Sequence, residues 1–264
     1  PVADADKRTL IRRVYYDLTG LPPSPDNVAE FLADKSPKAL EKVVDRLLAS
    51  SQFGERWGRH WLDVVRYAES NGMERNAAFP HAWRYRDYVI DSFNSDKPFD
   101  RFIKEQVAGD LLPGKPTDER HIATGFLAMG PKSLNNRNKA EFIMDTVDEQ
   151  LDVTTRAFMG LTVACARCHD HKFDPISQVE YYRLFAFFNN ADELNINAPL
   201  PEEAVNYAAA KKVYAKERRE LLAPVAPCLA KLQDRWEAKL LDTEAHPGRD
   251  HLWDRELELI GLVW

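Results

Sequence analysis

Apolar residues recur every three or four positions along almost the whole chain, which is the periodicity of amphipathic α-helices. Short segments rich in proline, glycine and asparagine separate the periodic stretches, and such residues end helices. The pattern predicts helices over roughly residues 5–18, 25–33, 37–48, 55–69, 83–93, 99–111, 119–129, 140–162, 179–188 and 202–222, and two more that end near residues 241 and 264. We therefore predict an all-α fold class, an irregular multi-helix bundle.

The domain organisation is predicted from a polar loop over residues 189–201. Residues 1–190 are predicted to form one helical domain. The region 191–264 contains a long charged helix and a second helix after Pro224 and Pro227, which is typical of a helical hairpin with solvated faces. We expect it to be a C-terminal extension packed on the first domain. Because the chain ends in an apolar helix near Trp264 without a polar tail, we expect it to be cut from a longer protein.

Composition narrows the class of protein. The 264 residues are 44% hydrophobic and 30% charged, which are the proportions of a soluble globular protein. The net charge of −6 argues against a general nucleic-acid binder, since neutralising phosphates needs a basic face. No stretch approaches the roughly 20 apolar residues needed to span a bilayer, and no signal peptide is seen in this segment.

The strongest chemical signal is the order Cys-x-x-Cys-His at Cys165, Cys168 and His169. It is the attachment pattern of c-type haem. Two thiols at this spacing can form thioethers to the two vinyl groups on one haem edge, and the histidine that follows is held under the iron as its proximal ligand. The pattern therefore predicts a covalently bound haem c, enclosed by the helical bundle.

Two other interpretations of the same residues stay open. Cys165 and Cys168 could bind a tetrahedral zinc ion together with His169 or His171. They could also be a redox dithiol, although no strand-rich thioredoxin-like pattern precedes them. The third cysteine, Cys228, lies far along the chain in a helical region, and we expect it to be a small buried apolar residue.

His60 is the candidate for the other side of the iron. On the predicted helix 55–69 it lies in one apolar stripe between Trp57 and Trp61. A histidine in such a stripe is either a core residue with satisfied hydrogen bonds or, beside a haem, a distal ligand or acid/base. Met73, in the loop that follows, is a second candidate iron ligand, or it caps the core.

Charged residues supply two further candidates. Arg84 and Arg86 could bind the haem propionates, because a guanidinium matches a carboxylate in fork geometry, or they form surface ion pairs. The long helix 140–162 also carries an acidic stripe, which is by default a solvated face and otherwise a site for a hard cation or a basic partner. The stripe consists of Asp145, Asp148, Glu149 and Asp152.

Four motifs together resemble a known family. They are RTLIRRVYYDLTGLPP at 8–23, GERWGRHWLD at 54–63, WRYRDYVI at 83–90 and CARCHDHKFDPI at 165–176. The chain resembles, over roughly residues 5–190, the planctomycete-type cytochrome-associated domain of unknown function. The resemblance implies large secreted bacterial proteins with a separate cytochrome c domain, and it supports haem binding at Cys165, Cys168 and His169. It implies no reaction.

Three functions follow from these observations. The first is a c-type haem domain that passes electrons to a partner cytochrome domain, possibly on the same full-length chain, outside the cytoplasm. The second is a haem enzyme, peroxidase-like or oxidising a carbohydrate-derived substrate, with His60 or His81 as the distal acid/base. The third is a structural or interaction module stabilised by zinc at Cys165, Cys168 and His171.

Overall fold

A computed structural model of the chain describes residues 5–115, 117–191 and 193–261. Within those ranges the regular elements are α-helices and short 3-10 turns, without a β-strand, so the prediction of an all-α fold is confirmed. The helices of the first unit are α1 Lys7–Thr19, α2 Pro25–Ala33, α3 Ala39–Leu48, α4 Ser51–Val64, α5 Ala82–Asn94, α6 Phe99–Ala108, α7 Asp118–Ala123, α8 Gly125–Ala128, α9 Lys139–Met159 and α10 Gln178–Phe188.

Side-chain caps explain where several of these helices begin. Ser24 accepts a hydrogen bond from the backbone of Asn27 ahead of α2, and Asn138 accepts one from Glu141 ahead of α9. Ser177 and Glu180 form a reciprocal capping box at the start of α10. Each cap satisfies backbone N–H groups that the first helical turn leaves unpaired.

The end of α9 is set by a glycine. Gly160 has φ 65°, in the left-handed region, and its N–H closes back on the carbonyls of Thr155 and Arg156. Glycine adopts this conformation without a Cβ clash, so the helix stops there rather than at residue 162 as predicted. The chain then reaches the Cys-x-x-Cys-His segment after a short connection outside regular secondary structure.

Three hydrophobic clusters hold this unit together. The first joins α1, α2 and α3 through Ile11, Tyr15, Phe31, Ala39, Val43 and Leu47. The second lies mainly among α5, α6 and the short helices α7 and α8, and includes Val65, Tyr85, Tyr88, Val89, Phe102, Phe126 and Val153. The third joins α9 and α10 to the segment after α9, through Val147, Leu151, Val163, Ala166, Tyr181, Phe185 and Phe188.

The packed face of α4 differs from the predicted one. Gly54 and Gly58 are its buried residues, whereas Trp57 and His60 are exposed. The two glycines face α5, where the missing side chains let the backbones approach closely. The prediction that His60 lies on a buried apolar stripe is therefore wrong, because counting apolar side chains overlooks a contact face built from glycine.

The boundary between the compact units falls between residues 195 and 196. The second unit contains α11 Pro201–Leu222, α12 Ala226–Ala245 and α13 His251–Gly261, of which α12 and α13 pack together. Cys228 is exposed on α12, so the expectation that it is buried is wrong. The predicted helix end near Trp264 lies outside the described residues, and the packing of this region on the first domain stays a prediction. Among the helices described, none is long and apolar enough to cross a membrane.

Candidate functional site

The Cys-x-x-Cys-His segment begins with a 3-10 turn, Ala164–Arg167, that directs both thiols outward. Ala166 is fully buried in the cluster shared with α9 and α10, while Cys165 and Cys168 are exposed. The backbone N–H of Cys168 donates to the Cys165 carbonyl at 3.4 Å and closes the turn. Burial of the small residue between the cysteines thus anchors the turn and leaves both thiols accessible.

Arg167 ties this turn to α9. Its guanidinium donates to Asp145 at 2.8 Å and to Asp148 at 3.1 Å. The hydrogen bond that Arg167 donates to Asp145, with the charge of Asp148, raises the pKa of Arg167. The Tyr181 hydroxyl donates to the second oxygen of Asp148, and burial together with that bond raises the pKa of Tyr181. Part of the predicted solvated acidic stripe is therefore the anchor of the motif.

The backbone of the turn is also held by α10. The Arg167 carbonyl accepts hydrogen bonds from Gln178 Nε2 and from the Tyr182 hydroxyl, each at 3.1 Å. The Gln178 N–H donates to Asp170 Oδ1 at 2.8 Å. Because one carbonyl receives two side-chain donors, the position of Cys168 relative to α10 is well defined.

His169 has one ring nitrogen engaged and is exposed. Its Nδ1 lies 2.7 Å from the Asp170 carbonyl oxygen. A carbonyl can only accept, so Nδ1 carries the proton in this contact, and the neutral ring then has an unprotonated Nε2. This is the arrangement of metal-ligating histidines, which donate the other ring N–H to a carbonyl or a carboxylate.

His171 has the opposite arrangement. Its Nδ1 accepts from the backbone of Asp174 at 2.9 Å and of Phe173 at 3.4 Å, and its side chain is only 5% exposed. The Asp174 carboxylate lies 3.3 Å from Nδ1, and the two N–H donors on Nδ1 require that nitrogen to act as an acceptor. His171 therefore organises the loop, since its backbone N–H also donates to the Ile176 carbonyl at 2.8 Å.

The other predicted site residues lie on different elements. His60 is exposed on α4, with its ring tilted against that of Trp57 at 5.5 Å between ring centres, and Met73 is exposed in the loop after α4. Arg84 lies over the Trp83 ring. These residues belong to the part of the unit built around α4 and α5, whereas the motif turn packs on α10. The described contacts therefore do not bring them to the cysteines.

Arg86 is engaged in surface ion pairs. It lies 2.9 Å from Asp87 and 3.5 Å from Glu69. Its pKa is raised, first by the hydrogen bond to Asp87. Within the described part of the chain, no group of three or more histidine, cysteine and acidic side chains is arranged to hold a metal ion.

Two long-range polar contacts that the sequence did not indicate join the segment after α4 to later parts of the unit. Arg66, just past the end of α4, forms a two-pronged ion pair with Glu149 and donates to the Phe126 carbonyl at 3.3 Å. The buried Asn71 exchanges two hydrogen bonds with the backbone of Lys132, at 2.7 and 2.8 Å. The partners are 60 or more residues apart, so periodicity carries no signal for them.

Replacing Arg167 with leucine is expected to lower the free energy of unfolding by about 1 kcal/mol, since two partly exposed carboxylates lose their shared partner. Urea unfolding measures the change. Arg156→Leu is the control. Arg156 pairs with Asp152 within α9 but is more exposed than Arg167, so its replacement should lower the free energy of unfolding less. Equal effects of the two substitutions would contradict an anchoring role for Arg167.

Comparison with known proteins supplies a family but no described function. No curated protein matches the chain, and no solved structure does. A family model matches residues 1–193, which cover the helices α1 to α10 and the cysteine motif. The chain belongs to the family PSCyt2, described as a protein of unknown function (DUF1549).

Proposed function

We propose that the chain is a c-type haem-binding domain that transfers electrons within a larger secreted redox protein. Cys165 and Cys168 would form the two thioethers, and His169 would ligate the iron through Nε2. A haem bound there would supply one-electron redox chemistry through its iron. The chain's own residues supply attachment, orientation and the local charge.

The observation that carries the proposal is the pairing of two outward thiols with a suitably arranged imidazole. Cys165 and Cys168 are exposed on one short turn. His169 directs Nδ1–H to the Asp170 carbonyl, which leaves Nε2 as the basic nitrogen. Arg167, between the cysteines, is held by α9 and α10, so the attachment edge is fixed relative to the core.

Exposure of the motif favours electron transfer over enclosed chemistry. An enzyme pocket needs a dry cavity around the distal side of the iron, whereas a carrier needs a haem edge that a partner can approach. Because both thiols face solvent, a haem on the outside of the bundle is better supported than one enclosed by it. Of the suggested distal groups, His60 is exposed on α4, and His81, at the start of α5, is exposed too.

The zinc alternative has less support from the loop geometry. With His171 as the third ligand it conflicts with that geometry, because the Nδ1 of His171 already accepts two backbone hydrogen bonds. A neutral ring in that arrangement carries its proton on Nε2, so binding a metal would require the loop to rearrange.

The proposal also includes a partner and a location. The family's short name suggests an association with cytochromes, in line with the resemblance to a planctomycete-type cytochrome-associated domain. We therefore propose a partner cytochrome domain as the electron donor or acceptor. Since c-type haem is attached outside the cytoplasm, the proposal places the protein in the periplasm or outside the cell.

Covalent haem attachment is the direct test. The chain is exported to a bacterial periplasm that contains the c-type maturation machinery. It should then gain the mass of one haem, stain for haem on a denaturing gel and show a Soret band. Cys165→Ala with Cys168→Ala should abolish the stain, because no thioether can form. Cys228→Ala is the matched control, an exposed cysteine outside the motif, and should leave the stain unchanged.

The spectrum then separates a carrier from an enzyme. A low-spin iron that ignores added cyanide supports electron transfer, and a high-spin iron that binds cyanide or peroxide favours an enzyme. Colourless protein of unmodified mass, produced beside a positive cytochrome c control, would contradict the proposal.

A further inference from the structure

Large apolar side chains are exposed on the loop and on the helix α10 that follow the two thiols in the chain. Phe173 is 83% exposed, Val179 is 60% exposed and Tyr182 is 41% exposed. Covering such side chains with an apolar partner is favourable, because it removes apolar surface from water. A group of exposed apolar residues next to a chemically reactive turn is the kind of surface that marks a binding site.

Phe173 is held outward by an ordered loop. His171 Nδ1 accepts from the N–H groups of Phe173 and Asp174, and the Ile176 N–H closes on the Asp174 carbonyl at 2.7 Å. The loop therefore fixes the backbone of Phe173 while its ring points into solvent. Lys172 lies over that ring, with its ammonium 5.1 Å from the ring centre, and brings a cation to the same place.

The side chain of Tyr182 is also held in a defined position. Its hydroxyl donates to the carbonyl of Arg167, the residue directly before Cys168. Its ring meets Tyr181 edge-on at 5.1 Å and Phe185 at 5.9 Å. These contacts occupy the core side of the ring and leave the rest exposed. Val179 precedes Tyr182 by three positions, so the two lie on neighbouring parts of the outer surface of α10.

We infer that Phe173, Val179 and Tyr182 form the apolar seat for one face of a tetrapyrrole tethered at Cys165 and Cys168. The inference rests on the haem attachment proposed above and adds the residues on which the macrocycle lies. A tetrapyrrole fits this surface because its two faces are flat and apolar. Aromatic rings stack on flat apolar partners, and branched apolar side chains pack against them. Its propionates need a cation, and Lys172 supplies one at the seat.

The test compares substitutions in the full chain matured with haem. Phe173→Ser and Tyr182→Ser should still gain the mass of one haem, because both cysteines remain. Each should lose at least half of the induced circular dichroism in the Soret band, which reports how the macrocycle is held by asymmetric surroundings. Tyr182→Phe, which keeps the ring, should retain most of that signal.

Phe187→Ser is the matched control. Phe187 is an exposed phenylalanine on the same helix, about 140° around the axis from Tyr182, and its loss should leave the Soret dichroism unchanged. Far-ultraviolet dichroism checks that each variant is folded. If wild-type chain carries covalent haem and the two serine variants keep the full Soret signal, the seat is disproved and the proposed function stands. If the wild-type chain carries no haem, both are disproved.

Discussion

Replacing Glu105 with glutamine is expected to lower the free energy of unfolding by about 3 kcal/mol, among the largest effects of any single substitution in this chain. Glu105 is fully buried on α6. Its carboxylate accepts hydrogen bonds from Lys97 at 2.6 Å, Arg101 at 2.7 Å and the Tyr88 hydroxyl at 3.0 Å. Glutamine keeps the shape but removes the charge, which leaves the largely buried ammonium of Lys97 with Glu119 alone as its counter-charge.

The loss should depend on pH in a defined direction. Burial acts to raise the pKa of Glu105, but the hydrogen bonds from Lys97 and Arg101 outweigh it, and the net pKa lies below the ordinary 4.5. A depressed carboxyl pKa stabilises the fold above the pKa of the unfolded chain, and the gain is lost as the pH falls through the folded pKa. Wild type and Glu105→Gln should therefore differ most near pH 7, and the difference should shrink as the pH falls below the ordinary 4.5 and through the lower folded pKa.

Urea unfolding of both proteins at pH 7 and at pH 3 measures this. Asp100→Asn is the matched control, since Asp100 forms an i,i+4 pair with Lys104 on the same helix but with both side chains exposed. Solvent screens that pair, so its removal should change stability little. A Glu105→Gln protein as stable as Asp100→Asn at pH 7 would show that the buried carboxylate contributes nothing.

The helices could be predicted because their signals are local. The stripe of α9 and the serine that caps α10 lie within a few residues of the structure they specify, and the all-α fold follows from many such signals. Predictions that needed a tertiary contact were less successful. The flanking Trp57 and Trp61 predict a buried face for His60, whereas α4 packs through its glycines.

The candidate site shows the same division. The cysteines and His169 stand together in the sequence, so their proximity could be predicted from spacing alone, and haem attachment there stays a prediction. The partners of Arg167 are 19 and 22 residues away on α9, and no pattern distinguishes those aspartates from a solvated stripe. Glu105 likewise has the sequence context of a surface charge, because its burial depends on Lys97 and Tyr88 from neighbouring segments.

The contact between α4 and α5 explains why two glycines on one helix should respond in opposite ways to alanine. A Cβ on Gly54 would lie 2.5 Å from the Ile90 carbonyl oxygen and 2.6 Å from the Asn94 amide, closer than real contacts allow. That amide also accepts a hydrogen bond from the Gly54 N–H at 2.8 Å. A Cβ on Gly58 would lie 3.4 Å from Ile90 Cγ1 and 3.5 Å from Val89 Cγ1, which are ordinary van der Waals separations.

Gly54→Ala is therefore expected to lower the free energy of unfolding by about 3 kcal/mol, because the backbone of α5 must move to admit the methyl group. Gly58→Ala should raise it by about 0.5–1 kcal/mol, since alanine loses less backbone entropy than glycine inside a helix and the methyl group fills available space. Thermal and urea unfolding of the two variants, with wild type alongside, give both values. Two changes of the same sign and size would mean that α4 and α5 do not approach each other through these glycines.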